Sequence, residues 1–192
     1  MKNSLQNPFL KLSLMLLFLA GTFSWAAAQV DTSLASGLLK GDLQNHLISK
    51  LGGRLGTITV SEKFNFSNAA TLQIASRQIP SKTGTFDQIT IKITEAGKTH
   101  LISLVQGSDG KLSELQGGQL ISVRSASSSL SCVTQLLGSA SSCSACKTKI
   151  VNCINQNNTF LKRVRCIGSS FDGSCIACGV SLISVINCLR SN

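Results

Sequence analysis

The sequence predicts an α+β protein: an N-terminal helix plus an antiparallel β-meander domain, followed by a small disulfide-rich α-helical domain. Three observations predict it. Apolar residues recur at helical spacing over residues 31–51, the periodicity changes to two in the stretch that follows, and all eight cysteines come after residue 131.

Residues 1–28 read as a signal peptide. Lys2 and Lys11 precede the apolar run LSLMLLFLAGTFSW, which ends in AAAQ with small residues at Ala26 and Ala28, so cleavage is expected before Gln29. The run is shorter than the roughly 20 apolar residues a membrane span needs. The residue directly after the cleavage position is Gln29 and not a cysteine, which argues against a lipid anchor there. Loss of Lys2 and Lys11 takes the net charge from +10 to +8. Tyr is absent and the single Trp lies in the signal, so stacking platforms for single-stranded nucleic acid are poorly supplied. Export also removes the chain from nucleic acid, and none is expected as a partner.

The first mature element is a helix over 31–51, with Leu34, Leu38, Leu39, Leu43, Leu47, Ile48 and Leu51 on its apolar side. Gly37 and Gly41 weaken it and Gly52-Gly53 ends it. TITV, TLQIAS, QITIKIT, HLISLV and QLISV then read as a meander of four to five strands, separated by turn chemistry at EAGK, GSDG and LQGG. In QITIKIT, Ile89, Ile91 and Ile93 fall on one face and Gln88, Thr90 and Lys92 on the other. The domain over 29–124 thus contains no cysteine, and the Ser-rich segment 125–131 reads as a linker.

Residues 132–192 contain an internal repeat. SSCSACKTKIVNCI and GSCIACGVSLISVINCL share C-x-x-C, an apolar stretch and Asn-Cys, and each is preceded by one further cysteine, Cys132 or Cys166. This suggests duplicated helical hairpins, with Cys143, Cys146 and Cys153 on one side of a helix. The last helix carries only a narrow polar stripe, Ser181, Ser184 and Asn187, as for a helix buried in a core or in lipid.

Three chemistries compete for these cysteines. Zinc could use Cys143, Cys146, Cys175 and Cys178, a repeated C-x-x-C pair, but that explains only four of the eight. A redox C-x-x-C needs a preceding strand that neither motif has. Structural disulfides among Cys132, Cys143, Cys146, Cys153, Cys166, Cys175, Cys178 and Cys188 explain the even count, the export signal and the small size. Eight cysteines allow on the order of a hundred pairings, so the connectivity is not readable. The expectation is four disulfides and no cofactor.

No enzyme is expected. His46 and His100 lie outside the cysteine-rich part, the carboxylates show no close pair at acid/base spacing, and neither a P-loop nor a dinucleotide fingerprint occurs. Asn65-Phe-Ser67 and Asn157-Asn-Thr159 match glycosylation sequons, which have meaning only in a eukaryotic secretory pathway.

A surface function is left. The cysteine-rich part holds Lys147, Lys149, Lys162, Arg163, Arg165 and Arg190 against Asp172 alone, a net charge of +5. In FLKRVRCI, Phe160, Leu161, Val164 and Ile167 share one helical side, with Lys162, Arg163 and Arg165 opposite. That pattern suits either a core-facing helix with a solvated back or a peptide that binds anionic membranes.

Cys143-Ser144-Ala145-Cys146-Lys147, the recurring C-x-x-C and the apolar, cysteine-stapled C-terminal part resemble the halocin C-eight type of bacteriocin precursor and its bacterial relatives. The resemblance implies a secreted precursor with three parts: a signal, an N-terminal domain that neutralises the peptide by covering it, and a C-terminal antimicrobial peptide freed by proteolysis to act on a target-cell membrane or envelope component. The family's archetype has more cysteines, an acidic peptide and a twin-arginine signal, whereas this peptide is basic and no arginine precedes Arg54. The alternative is an uncleaved secreted or cell-surface binding module stabilised by disulfides. LSELQGG, which has the look of a double-glycine leader, is expected to be a β-turn.

Overall fold

The computed structural model describes residues 32–123, 129–138 and 140–190. The expected signal peptide and residues 125–128 of the expected linker lie outside these. The architecture is α+β, with a six-stranded antiparallel sheet followed by a helical region crossed by four disulfides.

The single helix expected over 31–51 is two, α1 (Thr32–Leu39) and α2 (Asp42–Ser49). Gly41 breaks it, at φ 146°, a backbone angle that side chains with a Cβ resist. The apolar stripe nevertheless continues across the break, since Ala35, Leu39, Leu43 and Leu47 are all buried at intervals of four.

The strands are β1 (Ile58–Asn65), β2 (Thr71–Ser81), β3 (Gly84–Glu95), β4 (Lys98–Gln106), β5 (Leu112–Gln116) and β6 (Gln119–Val123), each paired with the next. This is one more than the upper expectation. The extra strand is β5, whose LSELQ lacks apolar alternation because only Leu112 is buried. LQGG forms the β5–β6 turn, with Gly117 and Gly118 at φ 57° and 78°, where a two-residue hairpin needs positive φ.

Ile89, Ile91 and Ile93 share a face as expected and are completely buried, with Leu72, Ile74, Ile102 and Leu104 of the neighbouring strands in the same cluster. Gln88 and Thr90, on the other face, are buried too. The reason is that α1 and α2 cover that face, where Ala75 packs with Ala35 and Leu39, and Ile79 with Leu43 and Leu47. Gln88 Nε2 donates to the Leu39 carbonyl at 2.7 Å. A bulge in β1 between Ile58 and Val60 sends these two side chains to opposite faces, despite their spacing of two.

The helical region comprises α3 (Ser129–Leu137), a 3₁₀ turn (Ser141–Cys143), α4 (Ser144–Gln156), α5 (Phe160–Ser170), α6 (Gly173–Ala177) and α7 (Leu182–Arg190). The expected linker therefore does not reach residue 131: α3 begins at Ser129, whose burial with Val133 and Leu137 at intervals of four supplies a helical seam. These helices pack on the isoleucine face of the sheet. One continuous cluster runs from Ile74 and Ile91 through Ile150, Val164 and Ile167 to Val185 and Leu189, so the two regions share a core.

Candidate functional site

The cysteine framework organises the helical region. Cys132 pairs with Cys188, Cys143 with Cys178, Cys146 with Cys175 and Cys153 with Cys166. Every bond joins the first repeat to the second, and the four are nested, first cysteine to last and inward to the closest pair. The two C-x-x-C motifs are bonded to each other in antiparallel order, which brings α4 and its preceding 3₁₀ turn against α6. No free cysteine remains, so the zinc alternative at Cys143, Cys146, Cys175 and Cys178 loses its thiolates, as does the redox one. Four disulfides suit an oxidising compartment.

The helix expected to offer a membrane-binding side is α5. Its amphipathicity is real, but Phe160, Val164 and Ile167 face protein: all three are buried in the shared core. At Gly168 the helix comes so close to the sheet that an added Cβ would sit 2.8 Å from the Phe64 ring and 3.0 Å from Leu72 Cδ2. One turn end further, Phe171 meets Phe66 edge to face, with ring centroids 5.4 Å apart. The apolar last helix is likewise buried in protein, through Leu182, Val185, Ile186 and Leu189. Among the described residues no helix is long and apolar enough to cross a membrane.

The polar side of α5 also differs from expectation. Arg165 Nε donates to Glu62 Oε1 of β1 at 2.8 Å, and its terminal guanidinium nitrogen joins the same carboxylate. Arg163 Nε donates to the Asn157 carbonyl at 2.7 Å. Of the three basic residues, Lys162 alone has no side-chain partner among the described residues.

Sequence reasoning missed the residues that clamp the two regions together, and they are the three glutamates of the chain. Glu62 holds Arg165, and Glu114 of β5 holds Arg190 at 3.3 Å. Glu95, the last residue of β3, caps α7 from across the interface: Oε1 accepts from Leu182 N at 3.1 Å, and Oε2 accepts from Ser181 Oγ at 2.7 Å and Ile183 N at 3.5 Å. A carboxylate there satisfies orphan amides and meets the positive end of the helix. The partners lie 76 to 103 residues apart along the chain, beyond the reach of any local signal.

Within the helical region, Asp172 caps α6 by accepting from Ser174 N at 3.1 Å, and it pairs with Lys149. The Lys149 ammonium first, and then the Ser174 hydroxyl, hold its carboxyl well below the usual carboxylate range.

Together the fold and site define a class: a two-sided antiparallel sheet whose one face is covered by a nested-disulfide helical layer. No protein-family model matches the chain, and neither a curated protein nor a solved structure matches it.

Proposed function

We propose that the chain is a secreted precursor of a disulfide-stapled cationic peptide. Residues 132–192 act on target-cell membranes after proteolytic release, and residues 29–124 keep them inactive until then. One observation carries this reading. The sheet region covers both properties that membrane binding needs, the apolar side (Phe160, Val164, Ile167) and two of the cations, Arg165 and Arg190, through Glu62 and Glu114. Separation would expose them together, an apolar side for acyl chains and free guanidinium groups for anionic headgroups. The nested bonds lie wholly within 132–192, so the freed peptide keeps its crosslinks. The reading assigns no catalytic step and no cofactor.

The continuous core supports a second reading, an uncleaved secreted or cell-surface binding module, because a shared cluster is how a single domain is built. Mass spectrometry of culture supernatant separates the two. The precursor reading expects a crosslinked fragment of about 60 residues, beginning near the end of the Ser-rich segment. Only an intact chain starting at Gln29 would favour the binding module.

A further inference from the structure

Strand β4 is paired along only part of its outer edge. Its inner edge pairs with β3 over the whole of Lys98–Gln106 without a bulge, whereas β5 joins the outer edge at Leu104, Val105 and Gln106 alone. After Glu114, β5 continues only against β6, so the sheet forks, and among the described residues no strand lies beside the outer edge of 98–103. The paired end of β4 is buried, but Lys98, Thr99, His100 and Leu101 are exposed, Leu101 by 62%. Such an edge presents backbone N–H and C=O groups with no ladder partner, and what matches them best is another extended chain.

The register sets a groove on each face beside this stretch. Leu101 and Ser103 pair with Lys92 and Thr90, on the face that α1 and α2 cover, and line a groove of about 430 Å³ with Leu39, Leu43 and Leu115. Lys98 and His100 pair with Glu95 and Ile93, on the face that the helical region covers, and line one of about 450 Å³ with Val180 and Ile183. A strand laid along β4 would send alternate side chains to the two faces, one set toward each groove. Charge selects its source. Lys40, Lys92 and Lys98 lie beside the edge with no ion-pair partner among the described residues. Of the acids nearby, Glu95 caps α7 and Glu114 holds Arg190, which leaves only Asp42. The chain as a whole carries a net charge of +10, so a second copy would set like charges against each other.

We propose that residues 98–103 of β4 are a strand-addition site for an extended segment of an acidic partner protein. Its apolar side chains occupy the alternate positions that face Leu101 and Leu115, and its acidic residues meet the flanking lysines. Backbone hydrogen bonds to β4 supply the affinity and the two grooves the selectivity. The groove at Val180 and Ile183 draws on both regions, so the site belongs to the intact fold and stands whether or not a peptide is ever released.

The test uses the mature chain, residues 29–192, with its disulfides intact. The probe is a blocked heptapeptide that alternates valine and threonine between two terminal aspartates. Titrated while amide resonances are followed, it should give saturable shifts centred on residues 98–103, and hydrogen exchange of those amides should slow. The same peptide methylated on its backbone nitrogens should not bind, because it can no longer donate to the edge. Leu101→Asp should weaken binding about tenfold, given what burial of a leucine contributes, while Leu101→Val should keep most of it. Lys98→Glu should weaken it about threefold, the scale of an exposed ion pair. Ile121→Asp makes the same kind of change on β6, the outermost strand, and should leave binding unaltered. Shifts centred on β1 or β6, equal effects of Leu101→Asp and Ile121→Asp, undiminished binding of the methylated peptide, or no saturable shifts would overturn the proposal. A dimer of the peptide-free protein that Leu101→Asp abolishes would overturn it too, because the edge would then belong to a second copy.

Discussion

The sheet region and the helical region share a core but are held together by opposite means. The sheet is a continuous hydrogen-bonded meander with no cysteine, covered on its second face by α1 and α2. The helices run from 5 to 13 residues, lengths at which isolated helices are marginal in water, and four disulfides tie them. Every crosslink stays inside the helical region and none crosses to the sheet, whereas the contacts between regions are apolar packing and three carboxylates. The difference teaches how the two sides are secured: the crosslinks close one side of the seam, while side-chain contacts across the seam itself are noncovalent.

Reduction should produce the largest effect and break the comparison most severely. In the loop-closure picture the bond spanning 13 residues contributes about 3 kcal/mol and the one spanning 56 about 4 kcal/mol, so losing all four exceeds what short helices can supply. Hydrogen exchange after full reduction should show the helical amides unprotected and the central strands β2 and β3 still protected. Simultaneous loss in both regions would mean that the sheet depends on its helical cover.

Next in size is the seam. Gly168→Val places side-chain carbons where the Phe64 ring and Leu72 already sit, and overpacking of this kind costs about 1–3 kcal/mol. The intact chain should lose that stability in denaturant unfolding, while the separated helical region, with no sheet against it, should not. Glu95→Ala removes the cap on α7 and should cost about 1 kcal/mol, again only in the intact chain. The smallest effect is expected at Asp172, which is exposed. Its carboxyl titrates below its unfolded value, so its contribution is complete above the ordinary aspartate range near pH ~4 and shrinks as pH falls towards the folded value. The difference between wild type and Asp172→Asn in urea midpoint should accordingly be greatest at neutral pH and shrink in acid.

Much of this was legible in residue patterns. Ile89, Ile91 and Ile93 announce a buried face because strand side chains alternate, and the two copies of C-x-x-C followed by Asn-Cys announce a crosslinked duplication. The amphipathic character of FLKRVRCI was equally plain, but the same stripe serves a core or a membrane, and only the sheet packed at Gly168 shows which surface it meets in the intact chain. The break at Gly41 was visible as a weakness rather than as a stop. The nested pairing and the Glu95 cap were not readable at all, because they depend on which distant segments meet, and local spacing carries no information about that.

The central claim is that the sheet region masks a membrane-active surface, and vesicle leakage tests it most directly. A protease site placed within residues 125–128 allows the chain to be cut without reduction, and the two regions can then be separated with all four disulfides intact. Dye release from phosphatidylglycerol vesicles should be absent with the uncut chain and pronounced with the separated helical region, while phosphatidylcholine vesicles stay sealed. Phosphatidylglycerol vesicles that remain sealed in the presence of the separated, oxidised helical region would contradict the account.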